Sequence, residues 1–274
     1  MEYIQLYVSL HDPEYIDMKE AVSAIEYVTR SIHRVRVLEH LRSGERTRGE
    51  LEASIDASSR TIRRVTDGLI EAGWVEQTTA GFRLTPTGAV FAEEFAETLS
   101  KTATLLKLQP FFRWFPRDVC SLSPEAFEDA TVTIRKPHSP YEPEDRALNR
   151  VSGTDTIRTI APINAPFYNE TYYKAIMEQS ASAVTVLSKD VLSMLQRDGD
   201  ALEDVIQTGR VELYVYPDPI SFGLLITDTV VAIGAYGDDG TMQALVESTD
   251  ETVRQWAIET FEQYRKAATE IEAT

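Results

Sequence analysis

The chain has 274 residues, 43% of them hydrophobic and 26% charged, which is a globular composition and length enough for two domains that each bury a core. Its net charge of −17 comes from 44 acidic residues against 20 Arg and only 7 Lys; a diffuse negative field of this kind repels phosphate, and the low-Lys, acid-rich balance fits a cytosol at molar salt, where charges are screened within about 3 Å. One cysteine, Cys120, and four histidines without ligand spacing (His11, His33, His40, His138) exclude an intrachain disulfide and a Cys-rich zinc site.

The N-terminus lacks the basic start and continuous apolar run of a signal peptide, and no stretch approaches membrane-spanning length. The expected location is the cytoplasm, with no membrane partner. Residues 3–10 alternate, with Ile4, Leu6, Val8 and Leu10 on one side, and predict a strand. From residue 17 to 42, Val22, Ile25, Val28, Ile32, Val35, Leu38 and Leu41 recur at helical spacing and predict one long helix, stopped at Ser43 and Gly44.

Residues 47–85 read TRGELEASIDASSRTIRRVTDGLIEAGWVEQTTAGFRLT. Thr47 and Glu50 have capping-box spacing, which starts a short helix that carries Leu51 and Ile55 inward. Ser58 can cap the next helix, in which Ile62, Val65 and Leu69 share an apolar face while Arg60, Arg63, Arg64 and Asp67 share the opposite one. After Gly73, residues 74–77 and 82–85 predict short strands around the turn Thr79-Ala80-Gly81. A capped helix, a short turn, an arginine-bearing amphipathic helix and a hairpin in this order resemble a winged helix-turn-helix, whose second helix contacts base edges in the major groove of double-stranded DNA. The candidate DNA-binding residues are Arg46, Thr47, Arg48, Ser58, Ser59, Arg60, Thr61, Arg63, Arg64 and Arg83.

Charge is distributed to match. Residues 1–116 carry 14 basic against 17 acidic side chains and residues 117–274 carry 13 against 27, while nine arginines face five acids between residues 30 and 64. The competing reading of Arg63 and Arg64 is an ordinary solvated helix face, and it is the company of the surrounding elements that favours DNA.

Pro86 opens a further helix in which Phe91, Phe95, Leu99, Thr102 and Leu106 form a stripe longer than one small domain needs, the expected contact of a homodimer. The aromatic run 111–115 is expected to pack at the hinge between domains. Beyond it, strands and helices alternate: strands at 131–135, 156–163, 184–187 and 211–216, helices at 143–151, 168–179 and 189–208. Strands at 221–227, 230–236 and 242–247 predict a meander with a hairpin at Gly237-Asp238-Asp239-Gly240, and a helix over 249–268 closes the chain.

The run FGLLITDTVVAIGAYGDDGTMQALVESTDETVRQWAIETFEQYR, residues 222–265, with EDRALNRVSGTDTIRTIAPI at 144–163, resembles the effector domain of archaeal winged-helix regulators of the type first described for methanogenesis regulators and abundant in haloarchaea. The same ending is similar to the phospholipase D-like sensor domain of archaeal sugar-responsive regulators, although no histidine here has a lysine two residues on, as phospholipase chemistry requires. The resemblance implies a sequence-specific transcription regulator whose second domain dimerises or senses a metabolite. The expected fold is therefore a two-domain α+β/α/β chain: a winged helix-turn-helix over 1–85, a linker or dimerisation helix over 86–116, and an α/β effector domain with a mixed sheet over 117–274.

An effector would sit at strand ends, where helix N-termini offer free amides. The candidates are Arg158, Asn164, Tyr168, Ser188, Lys189 and Tyr216, with Tyr172 and Tyr173 beside them, and the expected ligand is a small anion such as a sugar phosphate or an organic acid. The alternative is a non-sensing DNA-binding protein whose second domain only dimerises or binds a protein partner. A nuclease would need clustered carboxylates on strand ends, and Glu212 stands without them; no phosphate-binding glycine loop is present either. No catalytic residue, metal or cofactor is expected.

Overall fold

The computed structural model describes residues 18–116, 118–164, 166–197 and 200–271, which fall into two compact units, the first ending at Leu99 and the second beginning at Ser100. The strand expected over residues 3–10 lies outside the described residues. The first unit contains α1 (Met18–Thr29), α2 (Ile32–Arg42), α3 (Arg48–Ile55), α4 (Ser59–Glu71), β1 (Val75–Gln77), β2 (Phe82–Leu84) and the start of α5 (Pro86–Phe112).

The single helix expected over 17–42 is in fact two. The Ser31 N–H bonds the carbonyl of Val28 at 3.2 Å, three residues back rather than four, and Ser31 itself is extended at φ −143° and ψ 112°. The Tyr27 carbonyl released by this tightening is taken by the Arg34 guanidinium, which also stacks 3.8 Å over the Tyr27 ring. A helix end whose orphan carbonyl has found a side-chain donor can stop there at little cost. Leu38, Leu51, Ile55, Ile62 and Leu69 form the core against Val75 and Phe82. The apolar faces expected for α3 and α4 are therefore the buried ones.

The second unit holds one eight-stranded sheet, built from β3 (Thr131–Ile134), β4 (Thr156–Ala161), β5 (Ser182–Ser188), β6 (Val211–Tyr216), β7 (Phe222–Ile226), β8 (Val231–Tyr236), β9 (Met242–Ser248) and β10 (Thr269–Glu270). Their order is β10-β6-β5-β4-β7-β8-β9-β3. The pairs β4–β5 and β5–β6 are parallel and the others antiparallel, so strand-helix-strand crossovers and a meander share one mixed sheet, the fold class expected. The helices are α6 (Glu142–Val151), α7 (Pro166–Met177), α8 (Lys189–Arg197), α9 (Asp200–Gln207) and α10 (Glu251–Ala267). The helix expected over 189–208 is thus two elements, and β10 was not anticipated.

Side chains alternate across a strand, and the two faces of this sheet have different covers. Ile160, Val186, Phe222, Leu224, Ile233 and Val246 pack with Val253, Trp256, Ala257 and Phe261 of α10. Each large apolar side chain sequestered there contributes about 1.5–3 kcal/mol. Ile157, Ala183, Leu225, Ala232 and Leu245 turn the other way and pack with residues of α6, α7 and α9. The aromatic run expected at a hinge belongs to the first of these layers: Phe111 and Phe115, 2% and 3% exposed, stack at 4.6 Å, and Phe115 meets Phe222 edge-on at 5.5 Å. Burial of these rings in the sheet domain's core explains why the units divide inside α5 and not after it.

Candidate functional site

The platform for α4 is built from local hydrogen bonds. Thr47 Oγ1 accepts from Glu50 N at 3.2 Å, and Glu50 Oε2 accepts from Thr47 N at 2.7 Å, the reciprocal capping box that the sequence spacing predicts. This bond from the Thr47 N–H holds the Glu50 carboxyl below its ordinary pKa. At the other end of α3, Asp56 takes a left-handed conformation, φ 52° and ψ 54°, which Asp tolerates better than most residues. Arg36 Nη1 reaches the Ile55 carbonyl at 3.2 Å and so fastens the end of α3 from α2. Sequence reasoning missed Arg36, because its partner lies 19 residues away and no spacing rule connects them. Ser58 then caps α4, its Oγ accepting from Thr61 N at 3.2 Å.

With Ile62, Val65 and Leu69 buried, Ser59, Arg60, Arg63 and Arg64 are exposed on the outer side of α4. Arg63 Nε is 3.7 Å from Asp67, a loose contact that leaves the guanidinium available. In the hairpin, Phe82 exchanges both backbone hydrogen bonds with Arg46, at 2.9 and 3.0 Å, so Arg46 forms a third rung beside β1 and β2. A Cβ on Gly81 would sit 2.2 Å from the Arg46 carbonyl oxygen, which makes glycine necessary at that approach. Arg48 is exposed near the Phe82 ring, and Arg83 bonds Glu76 across the hairpin at 2.7 Å. Of the ten candidate DNA-binding residues, Thr47 and Ser58 thus use their hydroxyls as caps, Thr61 is half-buried behind Ser58, Arg46 is half-buried, Arg83 is paired with Glu76, and Arg48, Ser59, Arg60, Arg63 and Arg64 are exposed.

The second unit contains a cavity of about 370 Å³ between the sheet and the helices α7, α8 and α9. Of the six ligand residues expected, Asn164 and Tyr168 line it, as do Tyr172 and Tyr173. The other four lie elsewhere. Ser188 Oγ accepts from Val191 N at 3.4 Å at the start of α8, next to an exposed Lys189. Tyr216 stacks on Tyr264 at 4.7 Å in the α10 layer, and Arg158 belongs to a separate polar hollow with Thr156, Asp228 and Arg254. The cavity also gathers Thr159, Thr185, Gly223, Gly234 and Tyr236, which sequence reasoning did not single out. Glycines inside strands were the available signal, since they mark close approach of another group.

Among the described residues no group of His, Cys, Asp and Glu has the arrangement of a metal site, and no helix is long and apolar enough to cross a membrane. Cys120 is half-buried and burial pushes its thiol pKa up, the opposite of an activated thiolate.

Capped helices that present α4 beside a three-rung hairpin, followed by a mixed-sheet domain, define a two-domain chain with a winged helix-turn-helix arrangement in its first unit. Residues 22–106 match the family described as HVO_A0261 N-terminal domain, and residues 140–267 match the family described as methanogenesis regulatory protein FilR1, middle domain. The second match is to the methanogenesis-regulator family that this part of the sequence resembles. No curated protein matches the chain at a significant level. Among solved structures it is similar to TrmBL2, an archaeal chromatin protein, with a TM-score of 0.43 and 15% identity over 90% of this chain and 98% of that one. The phospholipase D family member Nuc from Salmonella typhimurium is similar with a TM-score of 0.39 and 12% identity, over 52% of this chain and 99% of that one. NucT from Helicobacter pylori reaches 0.39 at 7% identity, over 52% and 98%. Likenesses this low transfer no chemistry.

Proposed function

We propose that the protein is a sequence-specific, DNA-binding transcription regulator that works as a homodimer and whose sheet domain senses a small molecule. The observation that carries the DNA-binding reading is α4 itself: three exposed arginines oppose a fully buried Ile62, Val65 and Leu69 on a helix whose start and approach are fixed by caps and by the Asp56 turn. Arg60, Arg63 and Arg64 would contact base edges and neighbouring phosphates, with Arg46, Arg48 and Arg83 at the hairpin contacting the backbone.

The dimer reading rests on α5. Phe91 and Phe95 belong to the first unit's core, but the same stripe continues into Leu99 and Leu106, which are 39% and 64% exposed. A second copy of α5 would cover them, and two-fold symmetry would then require a pseudo-palindromic site. The sensing reading rests on the cavity in a domain of a regulator family. Because Arg158 and Lys189 do not line it, the anionic ligand that motivated their selection loses its cationic partners. The acid-rich composition supports work in a cytosol at molar salt.

Footprinting of the full chain on genomic DNA in molar KCl tests the reading. Protected sites with imperfect two-fold symmetry are expected, and uniform binding without preferred sites would refute it.

A further inference from the structure

The cavity lies where the sheet face beneath α7 places small residues in register. Gly223 lies opposite Gly234 across β7 and β8, and Thr159 opposite Thr185 across β4 and β5. A fully packed layer would place large side chains at these positions. The two glycines have a specific role. A Cβ at Gly223 would fall 3.0 Å from Tyr236 Oη, and one at Gly234 would fall 3.0 Å from Tyr236 Cε2, so the Tyr236 ring lies against both backbones. Tyr168 of α7 lines the same cavity, and burial raises the pKa of both phenols. The Tyr172 hydroxyl donates to Thr159 Oγ1 at 3.4 Å.

Charge is arranged against anions. Among the described residues no Lys or Arg lines the cavity, and the one charged lining residue, Glu170, accepts from Lys174 Nζ at 2.7 Å. Close to the tyrosine pair stands Glu144, only 3% exposed; its Oε1 accepts from the Met242 N–H at 3.3 Å, and its Oε2 has no hydrogen-bond partner among the described residues. Burial raises the Glu144 pKa toward the neutral form, and the field of this carboxyl contributes to the raised pKa of both tyrosines. An anion would enter without a counter-charge and next to acidic groups, at a desolvation cost that nothing here offsets. An organic cation would find the lining Glu170 carboxylate already paired with Lys174. The volume falls within the range of about 300–1,000 Å³ typical of small-molecule sites.

Building on the sensing role proposed above, we infer that this cavity binds an uncharged, mainly apolar ring compound bearing one hydrogen-bonding group, which the hydroxyls of Tyr168 and Tyr236 meet while the glycines of β7 and β8 and the threonines of β4 and β5 receive the ring. Calorimetric titration of the full chain with naphthol, naphthoate and naphthylmethylammonium in molar KCl at neutral pH tests it, since the three share a ring and differ in charge. Naphthol should bind at least about tenfold tighter than either ion. Thr185→Phe, which fills the floor, should abolish that binding with the circular dichroism spectrum retained. Tyr168→Phe should weaken naphthol about five- to tenfold, the worth of one hydrogen bond, and leave naphthalene binding unchanged, so it tests the site even if Thr185→Phe fails to fold. Equal or tighter binding of either ion, no binding of naphthol, or wild-type affinity in either folded variant would overturn the inference. Sensing is read separately: operator affinity unchanged by saturating naphthol would sink the sensing role and leave the site standing.

Discussion

Replacing Arg63 and Arg64 by alanine separates what α4 does for the fold from what it does for a partner. Within the protein the two side chains contribute little. Arg63 and Asp67 are 72% and 62% exposed with 3.7 Å between Nε and the carboxylate, a geometry worth about 0.3–0.5 kcal/mol at most, and alanine's better helix propensity offsets part of that. The melting temperature should therefore shift by no more than about 3 °C. Toward DNA the scale is different: each lost base contact costs about 1–3 kcal/mol, so the double variant should bind its operator weaker by a factor of roughly thirty or more. Fluorescence anisotropy at several KCl concentrations also tells bases from phosphates. Each lost phosphate contact flattens the logarithmic salt dependence by about 0.9 and weakens all sequences alike, whereas a lost base contact leaves the slope and removes the preference for operator. If the double variant is folded and binds operator within about twofold of wild type with the same slope, α4 is not the reading helix.

Thr47→Ala removes the capping-box acceptor of α3 and should cost about 1 kcal/mol of first-unit stability in denaturant melts, with the second unit's transition unmoved. Leu99→Glu combined with Leu106→Glu should convert a dimer to a folded monomer in light scattering; a wild-type protein that is already monomeric at micromolar concentration in high salt would remove the α5 interface from consideration. Asp228, in the turn between β7 and β8, accepts hydrogen bonds from the Thr156 and Thr154 hydroxyls and the Asp155 N–H, which hold its pKa down at about 2 against an ordinary 3.8. Because the folded pKa is the lower one, the stabilisation is complete above the ordinary value and fades as pH falls through about 2. Acid titrations of wild type and Asp228→Asn should differ by a constant amount near neutrality and converge across that window.

Local chemistry was readable in advance and long-range assembly was not. The Thr47–Glu50 box, the Ser58 cap, the α4 faces and the turn at Gly237–Gly240 each depend on residues within a few positions of one another, and each appears as the spacing predicts. The break at Ser31 escaped detection because the apolar period continues through it; what ends α1 is the Arg34 contact with Tyr27, invisible to periodicity. The ligand candidates failed to converge for a similar reason. Tyr216 ends a strand and Arg158 offers a charge for an anion, but strand parity sets both on the opposite side of the sheet from Thr159 and Leu213, which line the cavity. Parity is written in the sequence, but which parity faces a hollow depends on registers among β4, β5, β7 and β8, and those segments are far apart in the chain.

The two borders of the eight-stranded sheet have a further consequence. Among the described residues, one is β10, which pairs with β6 over Thr269 and Glu270, and the other is β3, which pairs with β9 over residues 131–134. Unpaired strand edges invite other chains to extend a sheet, and here the longest strands, β5 and β9, are flanked on both sides. A second molecule arriving edge to edge would find a ladder of two residues at one border and four at the other, with exposed Thr269 and Glu270 on the shorter. Such stubs offer an arriving edge little backbone to extend.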